Sequence, residues 1–255
     1  MKRLVIKLKH LLWKFLTELL HLNWKLRSGL TVIIRCYSDW VTYNEIFVNQ
    51  AYDGPILSTA EVETESLCVL DLGANAGMFS LKLVDSYLQK RPSGRLSLRC
   101  VEGSSALAQE LVRRLPTTNG RLDIQVIHGL AGARTGSGTF NYAKEDNSNF
   151  VSSSDRVDYW HRARGVEKVP YVDLDSLTVE MPRVDLIKCD IEGSEFLFIE
   201  SYSDLLRKTQ RLVVEFHLPF GNLEEARARL NRLGFNHGEV LSRSGAVETC
   251  YFTRK

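Results

Sequence analysis

The chain of 255 residues has only five cysteines, and no two of them have the C-x-x-C spacing that zinc and redox sites use. The cysteines lie mostly in apolar, strand-like stretches, where cysteine packs as a small hydrophobic residue. We therefore expect free thiols in a reducing compartment. This predicts a cytoplasmic protein without a structural zinc site.

An excess of charge of one sign is also missing, because 33 basic residues against 31 acidic residues leave a net charge of +2. A surface that binds nucleic acid needs a strong positive field, so we expect no nucleic-acid partner. No apolar stretch is long enough to cross a bilayer. With 44% hydrophobic residues, the chain can still bury the core of one domain.

Residues 1–28 have the apolar spacing of an amphipathic helix that ends near Ser28 and Gly29. Lysines interrupt the apolar stretch, so a signal peptide is not expected. The apolar face can pack on the protein's own domain or on a second subunit in a homodimer, or it can make a peripheral contact with an anionic membrane surface. The sequence leaves these alternatives open. The apolar positions are Leu4, Leu8, Leu11, Leu12, Phe15, Leu16 and Leu19.

Residues 29–64 are rich in aromatic side chains and end in a turn, so we expect them to form a cap over the domain that follows. Residues 65–255 alternate short β-rich stretches with helical patterns, which is typical of a doubly wound α/β sheet. Strands are predicted over residues 67–71, 96–102, 122–128, 184–189 and 211–216. Helices are predicted over residues 77–89, 105–114, 194–200, 204–208 and 223–233.

The end of the chain predicts a hairpin, so the expected fold is a Rossmann-like, mostly parallel sheet with an antiparallel C-terminal hairpin strand. One connection, residues 132–168, is polar, rich in Ser, Gly and Asn, and long for its place. Such segments are usually functional lids or disordered.

The stretch VLDLGANAGMFSL predicts a strand that ends in a tight turn and continues as a helix. Gly73 and Gly77 bracket Asn75, which tolerates a left-handed backbone conformation. A backbone this bare predicts close approach by a ligand. The spacing is not the G-x-G-x-x-G that cradles a dinucleotide pyrophosphate.

Glu102 closes the next predicted strand, where a carboxylate can accept both hydrogen bonds of a ribose diol. Together with the glycine turn it favours a nucleoside ligand that has no bridging pyrophosphate. S-adenosyl-L-methionine fits this description, with its methionine end in the turn.

A second group of polar residues follows two neighbouring predicted strands. Asp190, Glu192 and Glu195 come after one strand, and Glu215 and His217 end the other. Crowded carboxylates repel one another, so fold stability alone does not explain them. We expect these side chains at the cofactor edge of the sheet.

The stretches VLDLGANAGMFS, VPYVDLDSL, VDLIKCDIEGSEFLFI and VVEFH, in this order and spacing, resemble the FkbM family of S-adenosyl-L-methionine-dependent methyltransferases. The resemblance spans roughly residues 40–217, and its Asp-x-Glu-Gly-x-Glu element is specific. It implies a class I methyltransferase fold and methyl transfer to a hydroxyl oxygen of acceptors such as macrolides and sugars. The matching positions for the cofactor are Asp71, Gly73, Asn75, Gly77 and Glu102, and Asp190 and Glu192 hold the motif position beside it.

A hydroxyl is a poor nucleophile at neutral pH, so transfer to oxygen calls for a base within hydrogen-bond reach. His217 has a suitable natural pKa, and Asp190 and Glu192 are the other catalytic candidates. A divalent metal, Mg²⁺ or Mn²⁺, held by Asp190, Glu215 and His217 is an alternative that we do not favour.

We therefore expect an O-methyltransferase whose favoured acceptor is a sugar hydroxyl of a glycoconjugate or glycolipid. A polyketide, macrolide or other small-molecule hydroxyl is the alternative acceptor. A methyltransferase fold that serves only as a binding module is the alternative from another class. A nucleotide-dependent oxidoreductase is disfavoured because the dinucleotide fingerprint is missing.

Overall fold

The computed structural model describes residues 12, 15, 16, 19, 20, 22–116, 120–142, 150–152 and 165–254. The strands are β1 (Leu22–Lys25), β2 (Thr31–Ile34), β3 (Ser66–Leu72), β4 (Arg95–Glu102), β5 (Leu122–His128), β6 (Ser137–Tyr142), β7 (Phe150–Ser152), β8 (Gly165–Pro170), β9 (Leu186–Cys189), β10 (Arg211–His217), β11 (His237–Ser244) and β12 (Val247–Thr253). The helices are α1 (Tyr37–Tyr43), α2 (Asp53–Ala60), α3 (Met78–Lys90), α4 (Ser105–Arg114), α5 (Leu174–Leu177), α6 (Glu195–Ser201), α7 (Ser203–Lys208) and α8 (Leu223–Arg232), with a π-helical turn at Asn44–Val48 and a 3₁₀ turn at Leu218–Phe220. Within these ranges, no helix has the length and apolar character needed to cross a membrane.

Seven strands form one sheet in the spatial order β11, β12, β10, β9, β3, β4, β5. Strands β3, β4, β5, β9 and β10 are parallel, whereas β12 runs antiparallel between β10 and β11. The predicted Rossmann-like sheet with an antiparallel C-terminal hairpin is confirmed. The predicted bounds of β5 and α4 match the structure, and those of the other parallel strands and their helices agree to within two residues.

Apolar side chains are buried on both faces of the sheet. Leu67 and Val69 of β3 belong to a core layer with α3 and α4, and Leu70 and Leu72 belong to the layer formed with α5 to α8. Side chains alternate between the faces of a strand, which explains this division. Because the parallel strands share one direction, their carboxyl ends meet at one edge, where the polar residues follow.

The segment before α1 differs from the prediction. Residues 22–25 were expected to be helical, but they form β1, which pairs antiparallel with β2. Trp24 packs edge-on against Tyr43 of α1, with ring centroids 4.7 Å apart. A tertiary contact of this kind outweighs local helical spacing, which is only a weak preference.

Most of the predicted N-terminal amphipathic helix lies outside the described residues. Four of its described residues are helical and more than half exposed, namely Leu12, Phe15, Leu19 and Leu20. Whether this face packs on protein or contacts a membrane stays a prediction, as do the domain boundaries, the homodimer and the cytoplasmic location.

The expected cap forms α1, the π-helical turn and α2, and lies against α3 and α4. The buried carboxylate of Asp39 accepts hydrogen bonds of 2.9 and 2.7 Å from the guanidinium of Arg114. Lys82 of α3 forms an ion pair with Asp53. Because bidentate arginine–carboxylate pairs have a well-defined geometry, the pair of Arg114 and Asp39 sets the position of the cap.

The polar connection is more ordered than predicted in its described part. Strand β6 pairs antiparallel with β7 and with β8. Phe140 and Val169 are buried with Leu130 in a small apolar core. An antiparallel sheet with one buried face and one solvated face needs apolar residues only at alternate positions. The polar composition of this connection therefore gives no clear sign of its strands. Residues 143–149 and 153–164 lie outside the described residues, and a lid there stays a prediction.

Candidate active site

The turn after β3 has the left-handed backbone that its sequence predicts. Gly73, Asn75 and Gly77 have φ angles of +72°, +49° and +81°. The backbone N–H groups of Gly73 and Ala74 both donate to the carbonyl oxygen of Val101, at 2.9 and 3.1 Å. The turn is therefore held against the end of β4.

The close approach to Gly73 comes from the protein itself. A Cβ atom at this position would lie 1.7 Å from the backbone oxygen of Asp190, which follows β9. Lys188 donates to the Gly73 carbonyl oxygen at 2.7 Å. The bare backbone is thus required for the contact between two strand ends, and the approach of a ligand to this turn stays a prediction.

Asp71 and Gly77 support the turn from outside the cleft. Asp71 is fully buried; it accepts a hydrogen bond of 2.7 Å from Ser80 and lies 3.5 Å from the Lys188 ammonium group. Burial raises the pKa of Asp71, and Lys188 opposes that rise. A Cβ at Gly77 would lie 2.4 Å from Cδ1 of Leu111. The structure places both residues beneath the predicted cofactor site, not at its surface.

Glu102 ties the turn to the start of α4. Its two carboxylate oxygens accept the N–H groups of Asn75 at 2.7 Å and Ser104 at 2.8 Å. Burial raises the pKa of Glu102, and these two hydrogen bonds oppose that rise. Each carboxylate oxygen has a second lone pair, so Glu102 can still accept hydroxyl groups from a ligand.

A cleft opens at this edge of the sheet. Five of the predicted site residues line it, namely Gly73, Asn75, Glu102, Asp190 and Glu192. The rest of the lining was not predicted and consists of Val101, Gly103, Leu107, Gly129, Leu130, Ala131, Phe140 and Ile191. Its apolar part suits a nucleobase, and its acidic part suits a ribose.

One part of the unpredicted lining could have been identified from the sequence. Residues 129–131 follow β5 directly, at the carboxyl end of a parallel strand where ligands bind in such sheets. Phe140, by contrast, comes from β6 within the polar connection. No local feature of that connection points to the cleft.

His217 lies between two carboxylates. Its Nδ1 atom is 3.0 Å from Glu195 Oε1, and its Nε2 atom is 3.1 Å from Glu192 Oε2. Burial alone would lower the pKa of His217, but the hydrogen bonds to Glu192 and Glu195 outweigh it and raise the pKa to about 12. His217 is therefore a cation at neutral pH.

Glu192 both contacts His217 and lines the cleft. It has a φ angle of +53°, which is uncommon for a residue with a side chain and typical of functional sites. Burial raises the pKa of Glu192 to about 7, although the hydrogen bond from His217 opposes that rise. A carboxylate with this pKa can take and release a proton near neutral pH.

Asp190 and Glu215 complete the acidic edge. Asp190 lies 3.4 Å from the Lys188 ammonium group, and its Oδ1 atom is buried without a hydrogen-bond partner in the described part of the chain. Glu215 accepts a hydrogen bond of 3.3 Å from Tyr52 of the cap. The charge of Asp190, followed by burial, raises the pKa of Glu215 to about 8.

The possible metal ligands that the structure brings together differ from the predicted trio in one residue. Among the described residues, donor atoms of Asp190, Glu192 and His217 lie within 4.8 Å of one another, and Glu215 is not part of that group. Two carboxylates and an imidazole are ligands that Mn²⁺ accepts. The expectation that no metal is needed stays a prediction.

A doubly wound sheet finished by an antiparallel strand, with a glycine turn, a strand-end acid and one shared cleft, defines a class I methyltransferase. The model of the methyltransferase FkbM domain matches residues 71–237, and the chain belongs to this family of S-adenosyl-L-methionine-dependent methyltransferases. A comparison with curated proteins gives no significant match.

Several solved structures are similar to this chain at low sequence identity. The METTL16 methyltransferase domain has a TM-score of 0.49 and 9% identity, over 96% of this chain and 91% of that one. MNMC2 from Aquifex aeolicus has a TM-score of 0.45 and 14% identity, over 91% and 70%. The 16S rRNA N2 G1207 methyltransferase RsmC of T. thermophilus, in complex with AdoMet and guanosine, has a TM-score of 0.43 and 15% identity, over 92% and 50%. The expectation that nucleic acid is not a partner stays a prediction.

Proposed function

We propose that this methyltransferase transfers a methyl group from S-adenosyl-L-methionine to a hydroxyl oxygen, and that the favoured acceptor is a sugar of a glycoconjugate or glycolipid. The observation that carries the proposal is the hydrogen-bonded pair of Glu192 and His217 at the cleft. A hydroxyl is a poor nucleophile unless its proton is removed as it is methylated, whereas a neutral amine nitrogen can attack before it loses a proton. A proton acceptor with a pKa near neutrality therefore fits transfer to oxygen.

The cleft residues fit the cofactor. Glu102 can accept the two ribose hydroxyls, and the turn at Gly73 and Asn75 can take the methionine end. Leu107 and Leu130 offer apolar surface to the adenine. Oδ1 of Asp190, which is buried without a partner among the described residues, can accept a donor from either ligand. When bound, S-adenosyl-L-methionine supplies an electrophilic methyl group on a sulfonium.

In the proposed reaction Glu192 would take the hydroxyl proton while the acceptor oxygen bonds to the methyl carbon. The bond between that carbon and sulfur would break, and the sulfonium would leave as a neutral thioether. The imidazolium of His217 stabilises the Glu192 carboxylate before the proton arrives. This revises the role expected for His217, because a group with a pKa of about 12 is already protonated at neutral pH. Asp190 and the rest of the turn after β9 orient the acceptor. Orientation matters because bringing the reacting atoms into line accounts for much of the barrier in such transfers.

The range of acceptors in the family and the charge of the site support the proposed sugar acceptor. The half-buried carboxylates of Glu45, Asp190, Glu192 and Glu215 lie around the same edge, and their charges act on one another. Carboxyl groups exchange hydrogen bonds with neighbouring hydroxyls, and those that are ionised repel phosphates, so we propose an uncharged polyol and no nucleic acid. A polyketide or macrolide hydroxyl is the second candidate.

Methylation of an acceptor panel tests the proposal. The protein is incubated with labelled S-adenosyl-L-methionine and with glycosides, glycolipids, macrolides and RNA, and each acceptor is analysed by mass spectrometry. Label on a glycoside or glycolipid supports the proposal, and label on RNA alone contradicts it. Calorimetric titration with S-adenosyl-L-methionine and with NAD separates the remaining classes, because a binding module binds the first without turnover and an oxidoreductase binds the second.

A further inference from the structure

Glu195 is the acid of the Asp-x-Glu-Gly-x-Glu element to which the proposed reaction gives no role. It is the first residue of α6 and is completely buried. One atom, Oε1, accepts three hydrogen bonds, from the N–H of Ile191 at 3.1 Å, the N–H of Gly193 at 3.0 Å and Nδ1 of His217 at 3.0 Å. Its other oxygen is buried without a hydrogen-bond partner among the described residues.

These three bonds join two separate parts of the site. Ile191 and Gly193 flank Glu192, so their N–H groups hold the turn in which Glu192 has its left-handed backbone. His217 ends β10, on the neighbouring strand. A single carboxylate oxygen therefore sets the distance between the turn and the imidazole.

The hydrogen bond from Nδ1 also decides how the imidazole is used. A carboxylate has no proton to donate, so Nδ1 is the donor and Nε2 is directed at Glu192. The same arrangement, in which a buried carboxylate orients an imidazole through one nitrogen, leaves the other nitrogen for chemistry in many enzymes. The charge of a buried carboxylate needs a partner, and His217 is the cation in contact with Glu195.

We propose that Glu195 is a positioning residue for the methyl transfer proposed above, which holds the turn of residues 190–193 and keeps Nε2 of His217 in contact with Glu192. The inference rests on that proposed function. The titratable groups that face His217 are Glu195 from α6, Asp190 and Glu192 from the turn after β9, and Glu215 from β10 itself. Removal of the Glu195 charge leaves the other three in place.

Glu195→Gln tests this inference because glutamine has the same shape and lacks the charge. The ring nitrogens of His217 are observed by ¹⁵N NMR in the full-length protein without acceptor, and assigned with His217→Gln. We expect the wild-type ring to stay doubly protonated up to about pH 9 and the ring in Glu195→Gln to lose a proton below that pH. Turnover falls by roughly 10²-fold or more, while affinity for S-adenosyl-L-methionine changes by less than about threefold.

Asp185→Asn is the matched control. Asp185 is also a buried carboxylate that accepts a backbone N–H, from Cys68 at 2.9 Å, but it lies at the opposite end of β9. We expect it to lower stability and to leave the His217 signals and the turnover unchanged. Loss of turnover in both variants in proportion to stability would mean that Glu195 only supports the fold.

Glu195→Asp provides a second arm if the glutamine variant does not fold. Aspartate keeps the charge, but its side chain is one methylene shorter, so the carboxylate oxygen moves away from its three hydrogen-bond donors. We therefore expect His217 to stay doubly protonated while turnover falls by at least about tenfold. Unchanged His217 signals and unchanged turnover in Glu195→Gln, or full turnover in Glu195→Asp, would overturn the inference. A wild-type protein that methylates no oxygen would overturn the proposed function, and the NMR spectra would still report whether Glu195 orients His217.

Discussion

The backbone oxygen of Asp190 occupies the position next to Gly73 so closely that a Cβ atom there would lie 1.7 Å away. This contact joins the cofactor turn after β3 to the acidic turn after β9. Lys188 strengthens the junction, because it donates to the Gly73 carbonyl oxygen and pairs with Asp190. The proposed cofactor side and the proposed acceptor side of the site therefore depend on one another.

Gly73→Ala is predicted to damage both turns. The left-handed φ angle costs a side chain roughly 1–2 kcal/mol, and the overlap with Asp190 adds about 1–3 kcal/mol. Gly120→Ala is the control, since Gly120 has a φ angle of +77° and no atom within 4 Å of a new Cβ. Chemical denaturation and cofactor titration of the two variants separate backbone strain from overlap. Equal losses in both would show that the contact with Asp190 has no effect.

Glu102→Ala is predicted to weaken cofactor binding by at least roughly tenfold, because hydrogen bonds to a charged group contribute about 1.5–3 kcal/mol. Ser104→Ala is the control on the same loop. It removes the helix cap that accepts the Leu107 N–H and keeps the backbone N–H that Glu102 accepts. We expect calorimetry to show near-normal cofactor affinity for this control. Normal affinity in Glu102→Ala would remove Glu102 from the site.

The pH dependence of turnover reports on Glu192. A base must be ionised to accept a proton, so kcat/KM should rise as the pH increases through about 7, the value to which burial raises the pKa of Glu192. The titratable groups around it are His217, Asp190 and Glu195. Glu192→Gln should lose this acid limb and lower turnover by roughly 10²–10⁴-fold. Glu200→Gln, at an exposed position on α6, should keep the wild-type profile. A profile that Glu192→Gln leaves intact would place the base elsewhere.

Exhaustive chelation is predicted to leave turnover unchanged, because the proposed proton acceptor is a carboxylate and needs no metal. If chelation abolishes activity and Mg²⁺ or Mn²⁺ restores it, the trio of Asp190, Glu192 and His217 is a metal site. In that case Asp190→Asn should be as damaging as His217→Gln. The assay is followed at several chelator concentrations with the cofactor held constant.

The sheet and the location of the site follow from local patterns in the sequence. Alternation of β-rich and helical stretches predicts β3 to β5, β9 and β10. Acids at the ends of buried strands, such as Glu102 and Asp190, identify the edge at which the cleft opens. These signals are local because a parallel strand and its following turn are continuous in the chain. The left-handed conformation of Asn75 is likewise predicted from the local sequence alone.

The partners of the site residues could not be read in this way. Tyr52 and Glu215 are 163 positions apart in the chain, and Gly73 meets Asp190 only when β3 and β9 pair. The protonation state of His217 depends on two carboxylates whose distances are set by folding. Burial and neighbouring charge therefore decide the protonation state of His217, and the natural pKa of histidine does not.

The most direct test of the account is the identity of the atom that receives the methyl group. The protein is incubated with ¹³C-methyl-labelled S-adenosyl-L-methionine and the best acceptor of the panel, and the product is analysed by NMR for wild type and Glu192→Gln. We predict a new ¹³C-methyl group on an oxygen of a sugar with the wild-type protein, and loss of that product by roughly 10²-fold or more with the variant. A methyl group on nitrogen or carbon, or equal product from both proteins, would contradict it.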